Sequence, residues 1–453
     1  MPVEGKQRPS AQTQQALFTK LQWIAEKAKE DRSFQFQNLA HLINPQMLEL
    51  AFRNLRKDAA SGIDDVSARA YEENLGENLL ELHERLKQRR YRAQPLRRIY
   101  IEKEDGSQRA LSIPTTEDKI VQRAVVTILN RIYENDFLSC SYGYRPKRSA
   151  HDALKAIRET IVLGKTSYVV DADIQDYFGS LVRDKLREML CKRITDKDIM
   201  RLIGKWLKVG VLDEGRMLLS EDGTYQGSVI SPLLANIYLH EVLDKWVEDT
   251  VKPRMRGEIA LFRFADDFIV CFQYRDDAER FYRVLPKRFE KFGLKLHPKK
   301  TKLIAFGRFA ESEAKRSGTK PSTFCFLGFT FIGGKTRIGK YTIKVRTMSK
   351  RLARALKRVS QWCRQNRHEP VWRQHQHLSA VLRGHDNYYG QRTNSDSIRT
   401  FHYKVENAWK KWLGKRGDQY FSWGRFVGIR RRYPLPAPRL LAGQRMTQTS
   451  LNL

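Results

Sequence analysis

The chain has 453 residues, with 84 Lys and Arg against 51 Asp and Glu, a formal net charge of +33; it exceeds one ordinary domain, so two or three lobes are expected. A positive surplus spread over the whole chain attracts polyanions in a salt-dependent way, which favours nucleic acid as the partner over an anionic membrane surface. No apolar run approaches the roughly 18 residues that span a bilayer, and the polar start lacks the apolar core of a signal peptide, so a bacterial cytoplasmic or nucleoid-associated protein is expected.

Up to about Arg90 the apolar residues recur at helical spacing, as in Leu48, Leu50, Ala51 and Leu55 and again in Leu75, Leu79, Leu80, Leu82 and Leu86. This predicts small helices, broken near Ala60-Ser61-Gly62. From Arg97 the pattern changes to two short strands around Gly106, a basic hairpin. Helix resumes after Pro114, with Ile120, Val121, Ala124, Val125 and Ile128 on one face. Strand signals then dominate at 167–174, 261–272, 300–306 and 323–332, with helical segments between them, which predicts a mixed α/β core. Beyond about Lys340 the chain is expected to be helical and more basic. There Leu352, Leu356, Val359 and Trp362 share one face, while Arg351, Arg354, Lys357 and Arg358 cover the other, which makes a core side and a polyanion side. Cys140, Cys191, Cys271, Cys325 and Cys363 form no CxxC pair, which argues against a zinc ribbon or a disulfide framework.

Asp266 and Asp267 stand between two apolar strand-like runs, as at the tip of a hairpin inside the core. Adjacent aspartates at a turn are usually only turn residues, but the apolar flanks bury this pair, and buried like charges repel unless a cation joins them. The run 169–178 ends a second strand with Asp171, Asp173 and Asp176; Asp171 and Asp173 share a face because strand side chains repeat every two residues. A strand-end aspartate beside a hairpin-tip pair is the arrangement that holds two Mg²⁺ ions roughly 4 Å apart for phosphoryl transfer.

Phe-Ala-Asp-Asp at 264–267 resembles the [Phe/Tyr]-x-Asp-Asp signature of reverse transcriptases, and Asp-Ile-Gln-Asp-Tyr-Phe at 173–178 resembles their first aspartate motif. Gln-Gly-Ser-Val-Ile-Ser-Pro-Leu-Leu-Ala-Asn-Ile-Tyr-Leu at 226–239 is similar to a specific block of group II intron reverse transcriptases. Ser-Tyr-Gly-Tyr-Arg-Pro-Lys-Arg-Ser-Ala-His-Asp-Ala-Leu at 141–154, Gly-Leu-Lys-Leu-His-Pro-Lys-Lys-Thr-Lys at 293–302 and Phe-Leu-Gly-Phe-Thr-Phe at 326–331 are similar to further blocks of that family. The likeness runs from about Leu55 to Pro438. It implies an α+β fold, the right-hand polymerase of fingers and palm with a helical thumb or maturase domain. The implied spans are 1–90 for an N-terminal extension and first fingers helices, 91–335 for fingers and palm, 336–440 for the thumb or domain X-like region, and 441–453 for a tail.

Carried over residue by residue, the resemblance implies that Asp173, Asp266 and Asp267 are catalytic and hold two Mg²⁺ ions, for which Mn²⁺ can substitute, helped by the backbone carbonyl of Ile174. Phe178 takes the sugar-gate position, Gln226 touches the incoming nucleotide, and Lys103 and Arg109 on the basic hairpin clamp its triphosphate. The C-terminal region, with Leu-Arg-Gly-His-Asp-Asn-Tyr-Tyr-Gly at 382–390 and Trp-Lys-Lys-Trp-Leu at 409–413, resembles the maturase region that grips intron RNA. This makes Arg351, Arg354, Lys357, Arg358, Arg383, Lys410 and Lys411 candidate RNA contacts. Implied partners are an RNA template, a DNA primer, dNTPs and structured intron RNA, with no membrane. The histidines His368, His375, His377 and His385 are explained more simply by such a basic helical region than by zinc. The tail carries no counterpart of the family's optional Cys/His nuclease module.

Tyr225 stands where the family usually has proline, Ser228 replaces its second glycine, Ala110 and Ser112 alter its RPLGIP block, and Gly179 replaces an aspartate. None of these removes a metal ligand. Two functions of the polymerase stay open: a group II intron-encoded enzyme that also assists splicing and mobility, and a domesticated relative serving defence, CRISPR spacer acquisition or DNA repair. A non-catalytic RNA-binding maturase is the third reading, against which the intact aspartates weigh.

Overall fold

Several helices of this chain start where a side chain takes up a free backbone N–H. Asn44 accepts from Met47 and Ser67 from Ala70, opening α2 (Pro45–Arg53) and α3 (Ala68–Glu73) after the long first helix α1 (Ala11–Glu30), and α4 (Leu75–Lys87) follows at once. Such caps are worth about 1 kcal/mol each. The computed structural model describes residues 11–102, 106, 108–213, 216–218, 223–316, 318–417 and 421–441. It divides into two compact units, residues 1–157 with 170–303, and residues 158–169 with 304–453.

In the first unit, β1 (Leu96–Glu102) and β2 (Gln108–Ile113) pair antiparallel in register from Arg97↔Ile113 to Glu102↔Gln108, as the alternation at 97–113 predicts. Thr115 caps α5 (Thr116–Asp136), the spine of this unit, whose Ile120, Val121, Ala124, Val125, Ile128 and Leu129 are fully buried. Each large apolar side chain hidden this way contributes about 1.5–3 kcal/mol. After α6 (Ala150–Leu163), which begins in this unit, come β3 (Tyr168–Ala172), which ends in it, and the two-residue β4 (Ile174–Gln175), then α7 (Arg183–Cys191) and α8 (Lys197–Lys208). Asp196 caps α8 and also accepts from the backbone of Leu39 and Ala40, fastening the early loop. A short ribbon, β5 (Val211–Asp213) and β6 (Arg216–Leu218), joins the hairpin in a sheet of order β2-β1-β5-β6. Helix α9 (Ser231–Leu239) widens into π-helical turns at His240–Asp244 and Trp246–Val251. The hairpin β7 (Ile259–Phe264) and β8 (Asp267–Phe272) follows, with β8 lying between β3 and β7. Last come α10 (Arg275–Glu290) and β9 (Lys295–Leu296), which pairs with β4.

The second unit follows β10 (Lys302–Ala305) with α11 (Ala310–Arg316) and a three-stranded antiparallel sheet, β11 (Phe324–Phe326), β12 (Phe329–Lys335) and β13 (Tyr341–Thr347). Two expectations are corrected here. The run 323–332 is a tight hairpin and not one strand, because Leu327 and Gly328 both take left-handed φ, 52° and 79°, in a two-residue turn; that pattern matches the natural twist of paired strands. The stretch just beyond Lys340 is not helical: β13 intervenes, its Ile343, Val345 and Thr347 buried on alternate residues, and the basic helix begins at Ser349. Four helices then close the unit, α12 (Ser349–Gln365), α13 (Val371–Tyr389), α14 (Ser395–Leu413) and α15 (Trp423–Arg432). Val359, Cys363, Leu378, Leu382, Phe401, Val405, Trp409 and Phe426 form their core, with Leu352, Leu356 and Trp362 packed against it. The fold is α+β, as expected; none of the five cysteines forms a disulfide, and among the described residues no helix is long and apolar enough to cross a membrane.

His385 is buried in this helical core, stacked on Phe401 at 3.7 Å. Burial pushes its imidazole down to about 4, against the opposing pull of Asp386. The unfolded chain takes up this proton near pH 6.5 and the folded chain only near pH 4, so the stability it gives is complete above pH 6.5 and falls as pH drops through that window. His385→Phe should therefore flatten the fall in unfolding midpoint between pH 6.5 and 4 relative to the native chain, by a free energy of at most about 3 kcal/mol. Parallel pH profiles of thermal unfolding would show no difference if the residue is already charged when folded.

Candidate active site

The hairpin that carries the aspartate pair is set by its flanks. Leu261, Phe262, Phe268, Ile269 and Val270 are buried, and pairing of Arg263 with Phe268 and Phe264 with Asp267 leaves Ala265 and Asp266 as a two-residue turn. Ala265 adopts φ of 59°, a left-handed conformation that a side chain normally disfavours. Asp266 is half-buried and Asp267 exposed. Asp171 sits on the neighbouring β3, and Asp173 follows its end, its carbonyl accepting from the backbone of His297 at 2.8 Å. Ile174 comes next, buried and paired with Leu296.

These carboxylates act on one another. Burial, together with the charge of Asp173, holds Asp266 above the usual carboxylate range, against the pull of Arg109 and Arg263. Burial and then the charges of Asp267 and Asp173 push Asp171 up to about 7, with Lys302 opposing them. Lys300 reaches Asp173 Oδ2 at 2.9 Å. Among the described residues no three His, Cys, Asp or Glu side chains are already gathered into a metal site; what is gathered is negative charge. A multivalent cation would relieve that repulsion, and an all-oxygen donor set suits a hard ion such as Mg²⁺. The residues therefore fit a divalent cation.

The residues expected at the nucleotide are brought to the same region by backbone bonds. Arg109, exposed on β2, is close enough to act on both Asp266 and Tyr144. Ser112 N donates to Gln226 O at 2.7 Å, which ties β2 to the segment ahead of α9. Phe178 is half-buried, leans on Tyr177 at 5.6 Å, and its carbonyl accepts from Thr224 N at 2.7 Å. Lys103 lies outside the described residues. The departures from the family pattern have places of their own. Ser228 Oγ donates to Gln122 Oε1 at 2.7 Å, and the same oxygen accepts from Val229 N at 2.9 Å. At Gly179 a Cβ would stand 2.3 Å from Asp176 Oδ2, so no larger residue fits there unless that carboxylate moves. Tyr144 escaped the sequence reading: it is 55% exposed with φ of 56° beside Asp266, and nothing in its block marks it apart from its neighbours.

In the second unit, Arg351, Lys357, Arg358, Arg383 and Lys411 are exposed, whereas Arg354 and Lys410 are half-buried. Lys410 lies over the ring of Trp423 at 4.0 Å, and Trp409 is core, donating to Gln374 Oε1. The histidines serve separately: His375 meets Pro434 O, His377 stacks on Trp362 at 3.8 Å, and His385 stacks on Phe401.

The family model described as reverse transcriptase (RNA-dependent DNA polymerase) matches residues 101–331, just over half of the chain. The chain is 34% identical over 279 residues to protein YkfC of Escherichia coli, covering 54% of this chain and 73% of that protein. It is 38% identical over 232 residues to the group II intron-encoded protein LtrA of Lactococcus lactis, covering 50% of this chain and 38% of that protein. It is 29% identical over 187 residues to nuclear intron maturase 2 of Arabidopsis thaliana, covering 31% of this chain and 24% of that protein. The chain thus spans well under half the length of the two intron-associated relatives.

Gly143 lies against the aspartate turn: a Cβ there would stand 2.3 Å from Ala265 N and 2.9 Å from Phe264 C. Gly143→Ala should destabilise the chain by about 1–3 kcal/mol through overpacking against backbone. Gly76→Ala, in α4 with nothing within 4 Å, should stabilise it by about 0.5–1 kcal/mol. Urea unfolding of both variants checks the contrast, and equal midpoints would remove the contact between Gly143 and the turn.

Proposed function

Since the chain belongs to the reverse transcriptase family, we propose that it is an RNA-directed DNA polymerase, extending a DNA 3′ end on an RNA template with dNTPs. The observation that carries this reading is the turn holding Asp266 and Asp267 beside the strand that leads to Asp173, with each carboxylate acting on its neighbours. Asp173, Asp266, Asp267 and the carbonyl of Ile174 would hold two Mg²⁺ ions, with Mn²⁺ as a substitute. When bound, such ions lower the pKa of an attacking hydroxyl and stabilise the leaving pyrophosphate. Everything else falls to the chain itself. The planar fork of Arg109 and the point charge of Lys103 take the triphosphate. The ring of Phe178 blocks a ribose 2′-hydroxyl, and Gln226, anchored through Ser112, orients the nucleotide. Arg351, Arg354, Lys357, Arg358, Arg383, Lys410 and Lys411 supply phosphate contacts for structured RNA, next to aromatic rings that suit base stacking.

The intron-encoded relatives favour a group II intron as the RNA that is copied and whose splicing is assisted. Tyr225 and Ser228, which depart from the intron-borne pattern, favour as second reading a polymerase separated from its intron and put to defence, spacer acquisition or repair. Catalytic intron RNA encoded beside the gene supports the first, and its absence there the second.

Primer extension on an RNA template with Mg²⁺ and dNTPs tests the chemistry. Asp266→Ala/Asp267→Ala should lower the rate by about a thousandfold or more, and equal extension by the two chains would sink the assignment. In the same assay Phe178→Ala should raise ribonucleotide incorporation while leaving deoxynucleotide extension measurable; unchanged sugar selectivity would remove Phe178 from the gate.

A further inference from the structure

Arg263 is the least exposed charged side chain beside the aspartate turn. It is 0% exposed, and its partners Ser141, Asn236 and Asp244 are 0%, 1% and 1% exposed. Every N–H of its guanidinium is used. Nε donates to Asp244 Oδ1 at 2.7 Å and Nη2 to Asp244 Oδ2 at 2.6 Å, a bidentate pair. Nη2 also donates to Ser141 Oγ at 2.8 Å, and Nη1 to Asn236 Oδ1 at 2.9 Å and to Ala265 O at 3.0 Å. Asn236 in turn donates to Gly143 O at 2.8 Å. The arginine's own backbone is clamped from the other side, its N donating to Cys140 O and its O accepting from Tyr142 N, both at 2.8 Å. Asp244 reaches this fork from the π-helical turn His240–Asp244, the kind of widened turn that recurs at functional sites.

We propose that Arg263 is a positioning residue: its guanidinium holds the Ala265 carbonyl, and so sets where Asp266 and Asp267 present their carboxylates to a divalent cation. This rests on the polymerase reading above for its consequence in catalysis. Stability alone does not account for the cluster, because a well-packed apolar pair often replaces a buried ion pair without loss. Geometry does account for it. Ala265 holds a left-handed φ of 59° with no glycine to ease it, and such a conformation persists only where the surroundings over-determine it. The fork fixes Ala265 O relative to three other segments, at 141–143, 236 and 244. Lysine, a point charge with no plane, cannot bridge them in this way.

The test uses the full chain bound to an RNA template and DNA primer. Mn²⁺ affinity is read by electron paramagnetic resonance, and kcat and KM for dNTP by extension, alongside the thermal midpoint. Arg263→Met/Asp244→Leu removes both charges together and keeps the volume. Ser141→Ala deletes one oxygen and leaves the ion pair intact, so that it costs one buried hydrogen bond and is the milder variant. Mn²⁺ binding is expected to weaken about tenfold or more in the double variant and about threefold in Ser141→Ala, as for other residues that orient metal ligands. kcat should fall in step while KM for dNTP stays near native, and Ser141→Ala should lower the thermal midpoint only by the few degrees that one lost buried hydrogen bond accounts for. Arg263→Lys should not restore either quantity. If every variant that folds keeps native Mn²⁺ affinity and kcat, the assignment is overturned. If the native chain fails to extend primers but the Mn²⁺ differences appear, the polymerase reading falls and the positioning role stands.

Discussion

Carboxylates crowded at the end of a buried sheet repel one another, and much of the first unit is arranged around that repulsion. Asp171 lies on β3 and Asp173 just past its end, Asp266 and Asp267 on the adjacent hairpin, and burial strengthens what Asp171 and Asp266 feel from the rest. The molecule holds them together with apolar flanks along β7 and β8, a lysine at Asp173, and an arginine on β2 acting on Asp266. A site that stores unfavourable charge in the folded chain is one that gains by taking up a cation, so the stress and the chemistry are the same property.

How much of this was legible in sequence depended on whether the signal was local. The hairpin at 97–113 and the turn at 264–267 were readable because alternation, apolar flanks and turn residues all lie within a few positions. The run 323–332 misled for the opposite reason: it is mostly apolar, and only Leu327 and Gly328 mark the reversal. Strand β13 was hidden by the basic helix that follows it, although Ile343 and Val345 alternate with Lys344 and Arg346. The three-residue strands β5 and β6 are too short to carry a period. The network around Arg263 could not be read at all, since Ser141, Asn236, Asp244 and Ala265 meet only after folding.

The departures from the family pattern are also more structural than they look as letters. Ser228 replaces a glycine, and its hydroxyl shares the buried Gln122 carbonyl with the amide of Val229, so one side chain of α5 braces the start of α9. Gly179 replaces an aspartate where the Asp176 carboxylate already fills the space. In the second unit the amphipathic reading of α12 holds, with Val359 in the core and Arg351, Lys357 and Arg358 outside. Aromatic residues there divide between roles: Trp409 is core, while Trp423 is 49% exposed beneath Lys410.

Ala265 has a consequence for how this chain can drift over generations. A left-handed backbone admits glycine, asparagine or aspartate more readily than anything else. Glycine would relax the strain but give the turn freedom to wander, aspartate would add another negative charge to a place already crowded with them, and a β-branched residue would resist the left-handed backbone most of all. A small, neutral residue is therefore the choice that keeps the turn stiff without adding charge, so the apex of the turn is constrained by its backbone as well as by its chemistry.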